Sequence, residues 1–377
     1  MEKSMKFVHT ADWHLGKIVN DHSMLEDQRV VLHRLIDDLK TEKLDAFLIS
    51  GDLYDRSVPP REAVLLANEI FSRIRQELQV PLLVIAGNHD SPERLHFGSG
   101  FYEPTIHIQG MAQSIPYMTE IKGVQFVLLP FVDYPLLAKM YPDKSIKSLE
   151  DGFVVQYQHL QPLLNKEKPT VLLFHGYISS GSVLESSDSE RPLSIGSTEI
   201  IDQQLFQPFD YVALGHLHQA QTVQANNIRY SGSILKYSKS EALHQKQVLL
   251  VELTETSIEM TIKPLRPLRD LTVKRGTFEA LMQESSNDYV YLELLDEHYI
   301  LDGMNKLQAK YPYAMSLEYI NLQSQQKGTR ISKQELEQVD LLELFEQFYE
   351  IHRQQPLSSD DRTIIEHLIQ KQRSQDS

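Results

Sequence analysis

The sequence predicts an α/β fold, and three features of its pattern support that prediction. Short apolar runs of strand length, such as residues 82–86, alternate along the chain with longer stretches that have helical spacing. Several of the apolar runs stop abruptly and are followed by polar side chains. In open α/β sheets, ligands bind beyond the carboxyl ends of the strands. The polar groups that follow these runs are therefore the candidates for function.

Composition narrows the class of protein. The chain has 377 residues, enough for a large core and two or more domains. Its apolar runs are far shorter than the ~20 residues of a membrane span, and its first residues lead into a strand without a signal-peptide pattern. The absence of cysteine excludes disulfides and thiolate ligands, and it fits a cytoplasmic protein without a membrane contact. A metal site must then use histidine, carboxylate and amide ligands, which suit harder ions such as manganese or magnesium.

The net charge of −15 bears on the substrate. Phosphate contacts in nucleic-acid-binding proteins come from Lys and Arg, so the overall sign opposes nucleic acid. Either the substrate is not a nucleic acid, or a local basic surface, a metal site or a partner supplies the attraction. Composition alone leaves both possibilities open.

In the first part of the chain, strand-like runs lead into polar residues, and helical stretches separate them. Helices are predicted over residues 26–40, from their apolar spacing, and 59–78, from a proline pair suited to a first helical turn. Three strands are predicted here. Asp12 and His14 follow the strand at 6–11, Asp52 follows the strand at 45–50, and Asn88 and His89 follow the strand at 82–86.

The later part repeats this arrangement twice and then changes character. Between residues 91 and 165 the pattern predicts a strand at 124–130 and a helix at 152–164. From about 264 onward a small strand–helix–strand module, a polar linker at 324–330 and a helical tail are expected. Two later strands are predicted at 170–174, followed by His175, and at 209–214, followed by His216 and His218. Further β structure is predicted at 228–234 and 248–252.

The polar groups at these five strand ends predict a dinuclear metal site. Each group alone is compatible with ordinary turn chemistry or a structural histidine. Together, at the same topological position, they favour metal binding. Two cations ~4 Å apart need a shared anionic ligand, and Asp52 suits that role. Imidazoles and an amide add no negative charge, so the site can still bind phosphate.

His89 has a different predicted role. It lies beside a ligand and need not be one, so it is placed to give a proton or hydrogen bond to a leaving oxygen. The predicted reaction is the in-line hydrolysis of a phosphate ester.

These motifs resemble the calcineurin-like metallophosphoesterases, and more narrowly the SbcD family of nuclease subunits. The resemblance covers most of residues 5–270 and is only architectural beyond them. It depends on Asp12-Trp13-His14-Leu15-Gly16, the Gly51-Asp52 and Gly215-His216 motifs, residues 88–95 and 187–193, His175, and Tyr230-Ser231-Gly232-Ser233.

The resemblance implies a fold and a ligand set. The fold would be a β-sandwich flanked by helices, with a metallophosphoesterase nuclease domain at 1–266, a DNA-facing capping domain at 267–323 and a helical tail at 331–377. His89 would be catalytic without binding metal, and manganese would be the metal, with magnesium, iron or zinc as alternatives. One metal would bind Asp12, His14, Asp52 and His218, and the second Asp52, Asn88, His175 and His216.

The resemblance also implies partners and a reaction. The family forms homodimers within a heterotetramer, each subunit bound through its C-terminal helices to an SbcC-type ATPase. It degrades double-stranded DNA from the 3′ side and cleaves hairpins or single strands during DNA repair and recombination. The helix at 59–78 fits either the dimer contact or the core. Two alternative functions remain, a small-molecule or protein phosphoesterase on the same fold and a subunit that mainly tethers DNA ends.

Two other regions have alternative interpretations. Lys263, Arg266 and Arg269 form a local basic stretch that fits either phosphate contacts or a solvated linker, and the linker is favoured. The tail carries two apolar stripes, which favour a partner-binding role slightly over packing on their own domain.

Overall fold

The computed structural model describes residues 4–102, 104–179, 184–190, 199–223, 227–254 and 257–322, together with isolated positions between 342 and 365. Among these residues, no helix is both long enough and apolar enough to cross a membrane. The helices are α1 (Leu25–Leu39), α2 (Arg61–Arg73), α3 (Pro92–His96), α4 (Tyr134–Met140), α5 (Leu149–Leu160), α6 (Phe278–Met282) and α7 (Gly303–Gln308).

The strands form two large sheets and three smaller ones. In the first large sheet, parallel strands lie at the centre and an antiparallel pair closes one edge. Its order is β16 (Ile258–Pro264), β15 (Gln247–Leu253), β1 (Met5–Thr10), β4 (Ala46–Ser50), β5 (Leu82–Ile85), β6 (Ile106–Gln109).

The second large sheet also has parallel strands at its centre, with an antiparallel strand at each edge. Its order is β13 (Gln221–Thr222), β14 (Ile228–Tyr230), β12 (Tyr211–Gly215), β9 (Thr170–His175), β8 (Val124–Leu129), β7 (Tyr117–Ile121). The smaller sheets are the hairpin β2 (Ile18–Val19) with β3 (His22–Ser23), the pair β10 (Tyr177–Ser179) with β11 (Ile200–Asp202), and a capping sheet of β17 (Leu271–Gly276), β18 (Tyr289–Leu294) and β19 (Ala314–Tyr319).

The two large sheets pack face to face through an apolar core. Successive side chains of a strand point to opposite faces, so the buried run of β4 serves two layers. Leu48 joins the core between the sheets, together with Phe126 and Leu173 of the second sheet. Phe47 and Ile49 instead face the helices on the outside. The predicted helix-flanked β-sandwich is confirmed.

Helices cover both outer faces of the sandwich. Leu35 of α1 and Leu66 of α2 are buried in the cluster on the first sheet. Phe153 of α5 is buried in the cluster on the second sheet. Because both faces of the central strands are covered, these strands are apolar throughout, as the sequence shows.

The described residues form two compact units. Those within Met1–Leu294 and Ile300–Glu318 form the first, which holds the sandwich and most of the capping sheet. Those within Leu295–Tyr299 and Tyr319–Ser377 form the second. The predicted domain limits at 266, 323 and 331 stay predictions, and the tail lies almost wholly outside the described residues.

Several predicted elements differ from the structure. The helix expected at 152–164 begins at Leu149, where the Ser148 hydroxyl accepts a hydrogen bond from Asp151 N at 3.1 Å. Gly152 lies inside this helix, where an added Cβ would meet the end of the Leu137 side chain of α4, which would have to shift. The strand expected to reach residue 234 ends at Tyr230, since the chain turns at Gly232, which has φ +77°.

The module after residue 264 is larger than predicted. The expected strand–helix–strand is preceded by β17 and α6, which the sequence pattern did not predict. Along β17 only Leu271 is buried, Val273 and Arg275 are exposed, and the residues between them are half-buried. The strand was obscured because Lys274 and Arg275 interrupt its short apolar pattern. Also missed were β6, β7 and β16.

Candidate metal centre

Five loops meet at one edge of the sandwich, where the central strands of both sheets end. Asp12 N donates to Gly51 O at 3.1 Å, which joins the loops after β1 and β4. His216 N donates to Asp12 Oδ1 at 2.9 Å, and His175 Nδ1 donates to Ser50 O at 2.9 Å. These bonds connect loops of the two sheets directly, so the candidate side chains share one small region.

His9 joins the sheets just beneath this edge. Its Nε2 donates to Leu214 O at 3.0 Å, and its Nδ1 accepts from the Tyr211 hydroxyl at 2.9 Å. Complete burial lowers the pKa of His9 to about 3. The ring is therefore neutral, and it binds β1 to β12 through both nitrogens.

Four of the predicted ligands have a left-handed backbone. This conformation costs a non-glycine residue about 1–3 kcal/mol and persists only where the surroundings enforce it. Such residues cluster at functional sites. The four are Asp12 (φ 54°), His14 (φ 46°), Asp52 (φ 50°) and His216 (φ 111°).

The predicted ligands form two groups in space. His14 Nε2 lies 3.0 Å from His218 Nε2. In the other group, Asn88 Oδ1 lies 3.0 Å from His175 Nε2 and 3.0 Å from His216 Nδ1. His14 and His218 belong to one of the ligand sets that the resemblance implies, and the other three residues belong to the second set. Their assignment as metal ligands stays a prediction.

Asp52 lies between the two groups. Its Oδ2 is 3.5 Å from His14 Nε2 and 3.5 Å from His175 Nε2. Asp12, His14 and Asp52 can each place a ligand atom within 4.8 Å of the others. A carboxylate equidistant from both groups fits a bridging ligand.

The histidine tautomers also fit a metal. His175 Nδ1 faces the carbonyl of Ser50, and His218 Nδ1 faces the carboxylate of Glu241 at 3.1 Å, so both Nδ1 atoms carry the proton. In its neutral form each ring then presents an unprotonated Nε2 to the centre, as metal binding requires. His14 Nδ1 and Asn88 Nδ2 are buried without a hydrogen-bond partner in the described part of the chain.

The buried carboxylates depend on opposite charge. Burial raises the pKa of Asp12 well above its usual value, although His175 opposes this. Burial would also raise the pKa of Asp52, but the imidazoles of His175 and His14 outweigh it and hold that pKa well below the usual value. The same attraction outweighs burial at His175 and raises its pKa to about 9. A divalent cation would supply this positive charge.

His89 is oriented by the loop that carries Asp52. Its backbone N donates to Asp52 Oδ1 at 2.9 Å, and its ring Nδ1 donates to Asp55 O at 2.8 Å. The ring meets that of His14 edge to face, with 4.7 Å between centroids. His89 is partly exposed, whereas His14 is fully buried. The non-ligand role of His89 stays a prediction, because His14, Asp55 and His89 also lie close enough together to hold a metal ion.

Asp90, for which the sequence pattern predicted no role, holds two of the loops together. Its carboxylate accepts from Leu53 N at 3.1 Å, Tyr54 N at 2.9 Å and Gly87 N at 2.9 Å. Burial and the charge of Asp52 raise the pKa of Asp90 to about 7. The loops after β4 and β5 are thereby fixed to each other. Gly87 is required here, since a Cβ would collide with the Asp52 carboxylate.

A buried ion pair supports His218, and sequence reasoning missed it. Glu241, which accepts from His218, lies 2.6 Å from Lys246 Nζ. Lys246 Nζ also donates to His218 O at 2.8 Å, and Glu190 Oε1 accepts from His218 N at 2.7 Å. Glu241 and Lys246 follow no strand end and match no motif. Their role depends on packing, which single-sequence patterns do not reveal.

The three predicted DNA-contact residues lie apart from this cluster and contact α1. Lys263 Nζ donates to Asp38 O at 2.9 Å. The Arg266 guanidinium donates to both carboxylate oxygens of Asp38, and Arg269 lies 2.8 Å from Asp27. These pairs favour the linker interpretation of the basic stretch, and a DNA contact there stays a prediction.

Comparisons with known proteins point to one family. A family profile described as calcineurin-like phosphoesterase matches residues 5–220. A second profile, SbcD_C, described as the type 5 capsule protein repressor C-terminal domain, matches residues 264–353. The D subunit of the nuclease SbcCD from Staphylococcus epidermidis is 36% identical over 372 residues, which are 97% of this chain and 98% of that protein.

Two solved structures show only a distant likeness. TT1561 of Thermus thermophilus is 15% identical with a TM-score of 0.39, covering 68% of this chain and 98% of that one. A dimetal phosphatase from Danio rerio is 12% identical with a TM-score of 0.40, covering 70% and 97%.

Proposed function

The chain belongs to the calcineurin-like phosphoesterase family, in its SbcD branch, and from that premise we propose that it is a metal-dependent DNA nuclease subunit that acts with an SbcC-type ATPase. One observation carries the proposal. Asp52 Oδ2 lies 3.5 Å from an imidazole nitrogen of each ligand group, which is the arrangement a bridged pair of cations needs. The similarity to a nuclease subunit extends over 97% of this chain and 98% of that protein, which supports DNA as the proposed substrate.

We infer that the site holds two divalent cations. Asp12, His14 and His218 would bind one, Asn88, His175 and His216 the other, and Asp52 both. When bound, the cations would polarise the phosphate and lower the pKa of an attacking water. Manganese is proposed because the ligand set combines imidazole, carboxylate and amide without thiolate, and magnesium, iron and zinc are the alternatives.

We propose that His89 donates a proton or a hydrogen bond to the leaving group. The Asp55 carbonyl holds the Nδ1 proton, so Nε2 is the atom left to face a substrate. A protonated imidazole there can hydrogen-bond to the leaving oxygen and give it a proton as the ester bond breaks. The bond between His89 N and the Asp52 carboxylate keeps the ring at a fixed position beside the ligands.

DNA, the ATPase and a second copy are the proposed partners. Cations at the site would supply the attraction for phosphate that a net charge of −15 otherwise opposes.

The tail at 331–377 is proposed to bind the ATPase. For the homodimer, α2 offers Val64 and Leu65, which are 44% and 50% exposed, while Leu66 and Ile70 on the same helix are buried in the core. The proposed activities are 3′-to-5′ degradation of double-stranded ends and cleavage of hairpins.

The test compares wild type with His89→Ala in manganese, on a labelled hairpin DNA and on bis(p-nitrophenyl) phosphate. Wild type is expected to hydrolyse both, and His89→Ala to bind manganese but lose about 100-fold or more in rate, as expected for a general acid. His159→Ala, an exposed histidine on α5 that stacks on Tyr141, is the matched control and should retain activity. Hydrolysis of the small ester alone, even with an SbcC-type ATPase present, would contradict the DNA assignment.

A further inference from the structure

Gln28, near the start of α1, is a fully buried amide that contacts the first ligand loop. Its Nε2 donates to His14 O at 2.8 Å and to Trp13 O at 3.2 Å. Its Oε1 accepts from Gly16 N at 3.0 Å. One side chain therefore satisfies three backbone groups of the loop that carries Asp12 and His14.

The loop needs such support because its backbone is strained. Asp12 and His14 both have left-handed φ angles, which cost each residue about 1–3 kcal/mol. On one side, hydrogen bonds from Asp12 N and His14 N to the loop after β4 hold it in place. On the other side the carbonyls of Trp13 and His14 face Gln28. Without that amide, Gly16 N would lose its acceptor, and the two carbonyls would keep only Lys17 N, which donates to His14 O, and the Tyr237 hydroxyl, which donates to Trp13 O. The strained conformation would then lose one of its supports.

We propose that Gln28 is a positioning residue of the metal centre, which it serves by fixing the backbone of Asp12 and His14. The inference rests on the proposed metal site. The proposal predicts that removal of the amide displaces the ligand atoms of Asp12 and His14 and weakens metal binding. Substitution of residues that hold metal ligands in place generally has this effect.

The chain offers a matched control in Gln125. This glutamine is also buried, at 3% exposed, and its Nε2 donates to Asn165 O at 2.9 Å and to Thr170 Oγ1 at 3.0 Å. Its Oε1 accepts from Asn165 N at 2.8 Å. It supports a loop in the same way, but at the amino end of β9, opposite to the end that carries His175. Its loss should destabilise the protein without affecting the metal centre.

The experiment measures manganese affinity by calorimetry for full-length wild type, Gln28→Met and Gln125→Met. Gln28→Met is expected to bind at least about tenfold more weakly, and Gln125→Met within about twofold of wild type. Trp13, the chain's single tryptophan, lies in the loop and gives a second readout. Its emission should shift to the red in Gln28→Met alone, because a loosened loop admits water.

Each result decides between the two proposals. If wild type binds no manganese, or any other of the proposed cations, the metal site itself is wrong. If wild type binds and Gln28→Met binds equally well with unchanged Trp13 emission, the positioning role is overturned. If Gln28→Met does not fold, Tyr237→Phe takes its place, since the Tyr237 hydroxyl accepts from Gln28 and donates to Trp13 O at 2.6 Å. It should weaken binding by a smaller factor, and affinity equal to wild type would overturn the role.

Discussion

At the scale of single residues, two histidines of the candidate centre are each held by a neighbour that fixes the orientation of the ring. Ser50 O holds His175, and Glu241 holds His218. Glu241 is itself paired with Lys246, and the pair is buried. Such neighbours would decide which imidazole nitrogen faces a bound metal, so they would contribute to its affinity although they bind no metal themselves.

His9 leads to a prediction about acid stability. Its folded pKa, about 3, lies below the ordinary value of 6.5 because the ring is buried. The unfolded chain therefore binds a proton that the folded protein excludes. The stability is fully present above pH 6.5 and falls as the pH drops toward 3, by about 1.4 kcal/mol per unit from this group.

The measurement is the free energy of unfolding in urea between about pH 7.5 and 4.5, for wild type and His9→Gln. The variant is expected to be less stable at the upper end of this range, since it loses a buried bridge, but to lose less stability with acid. The predicted difference in slope below about pH 6 is about 1.4 kcal/mol per pH unit. Equal slopes would show that His9 is not a buried neutral ring.

Sequence patterns predict the candidate ligands but not the residues that hold them in place. Asp12, Asp52, His175 and His216 follow apolar runs, and strand ends are where a pattern can be read. Gln28 lies inside a helix, where its polarity looks like that of any surface residue. Only the fold shows that it is buried against a loop twelve positions away.

At the scale of elements, α1 contacts both the ligand loop and the capping sheet. Gln28 faces the loop, and its neighbour Asp27 faces the linker and the cap. The Asp27 carboxylate, 1% exposed, accepts from Arg269 N at 3.1 Å and from the Tyr289 hydroxyl at 2.8 Å. The Arg269 guanidinium packs over the Tyr313 ring, 4.2 Å from its centroid. One turn of helix thus joins two parts of the first unit.

Asp27→Asn is expected to destabilise the protein by about 2–3 kcal/mol, because a buried carboxylate with charged and neutral donors is lost. In a double-mutant cycle with Arg269→Met, measured by urea unfolding, the coupling should exceed about 1 kcal/mol. The matched control is Asp38→Asn on the same helix. Its partner Arg266 is 62% exposed at the side chain, so the loss should stay below about 1 kcal/mol. Additive effects of Asp27→Asn and Arg269→Met would contradict the coupling.

At the scale of the whole molecule, the candidate centre lies where two sheets meet whose strands do not pair with one another in the described residues. Asp12, Asp52 and Asn88 come from loops of the first sheet. His175, His216 and His218 come from the second. A bound cation would therefore cross-link the two halves of the sandwich, and removing it should affect the stability of the entire fold.

Manganese at about 100 times its dissociation constant is expected to stabilise the folded protein by about 2.7 kcal/mol per site. In calorimetry, the melting temperature should rise by several degrees and return to its starting value on chelation. His216→Ala should reduce the rise, whereas His107→Ala, at a histidine that contacts Tyr117 outside the centre, should leave it unchanged. An unchanged melting temperature in wild type would contradict a site that spans both sheets.

The sequence by itself determined the strand ends, the chemistry of the side chains that follow them and the family of the fold. These depend on local signals, namely apolar period and the residues at the end of each run. The tertiary structure decided how the candidate ligands divide into two groups, which nitrogen of each histidine faces inward, and which side chains the basic stretch contacts. Those properties depend on contacts between residues far apart in the chain, such as His14 with His218, which are 204 positions apart and which no local pattern specifies.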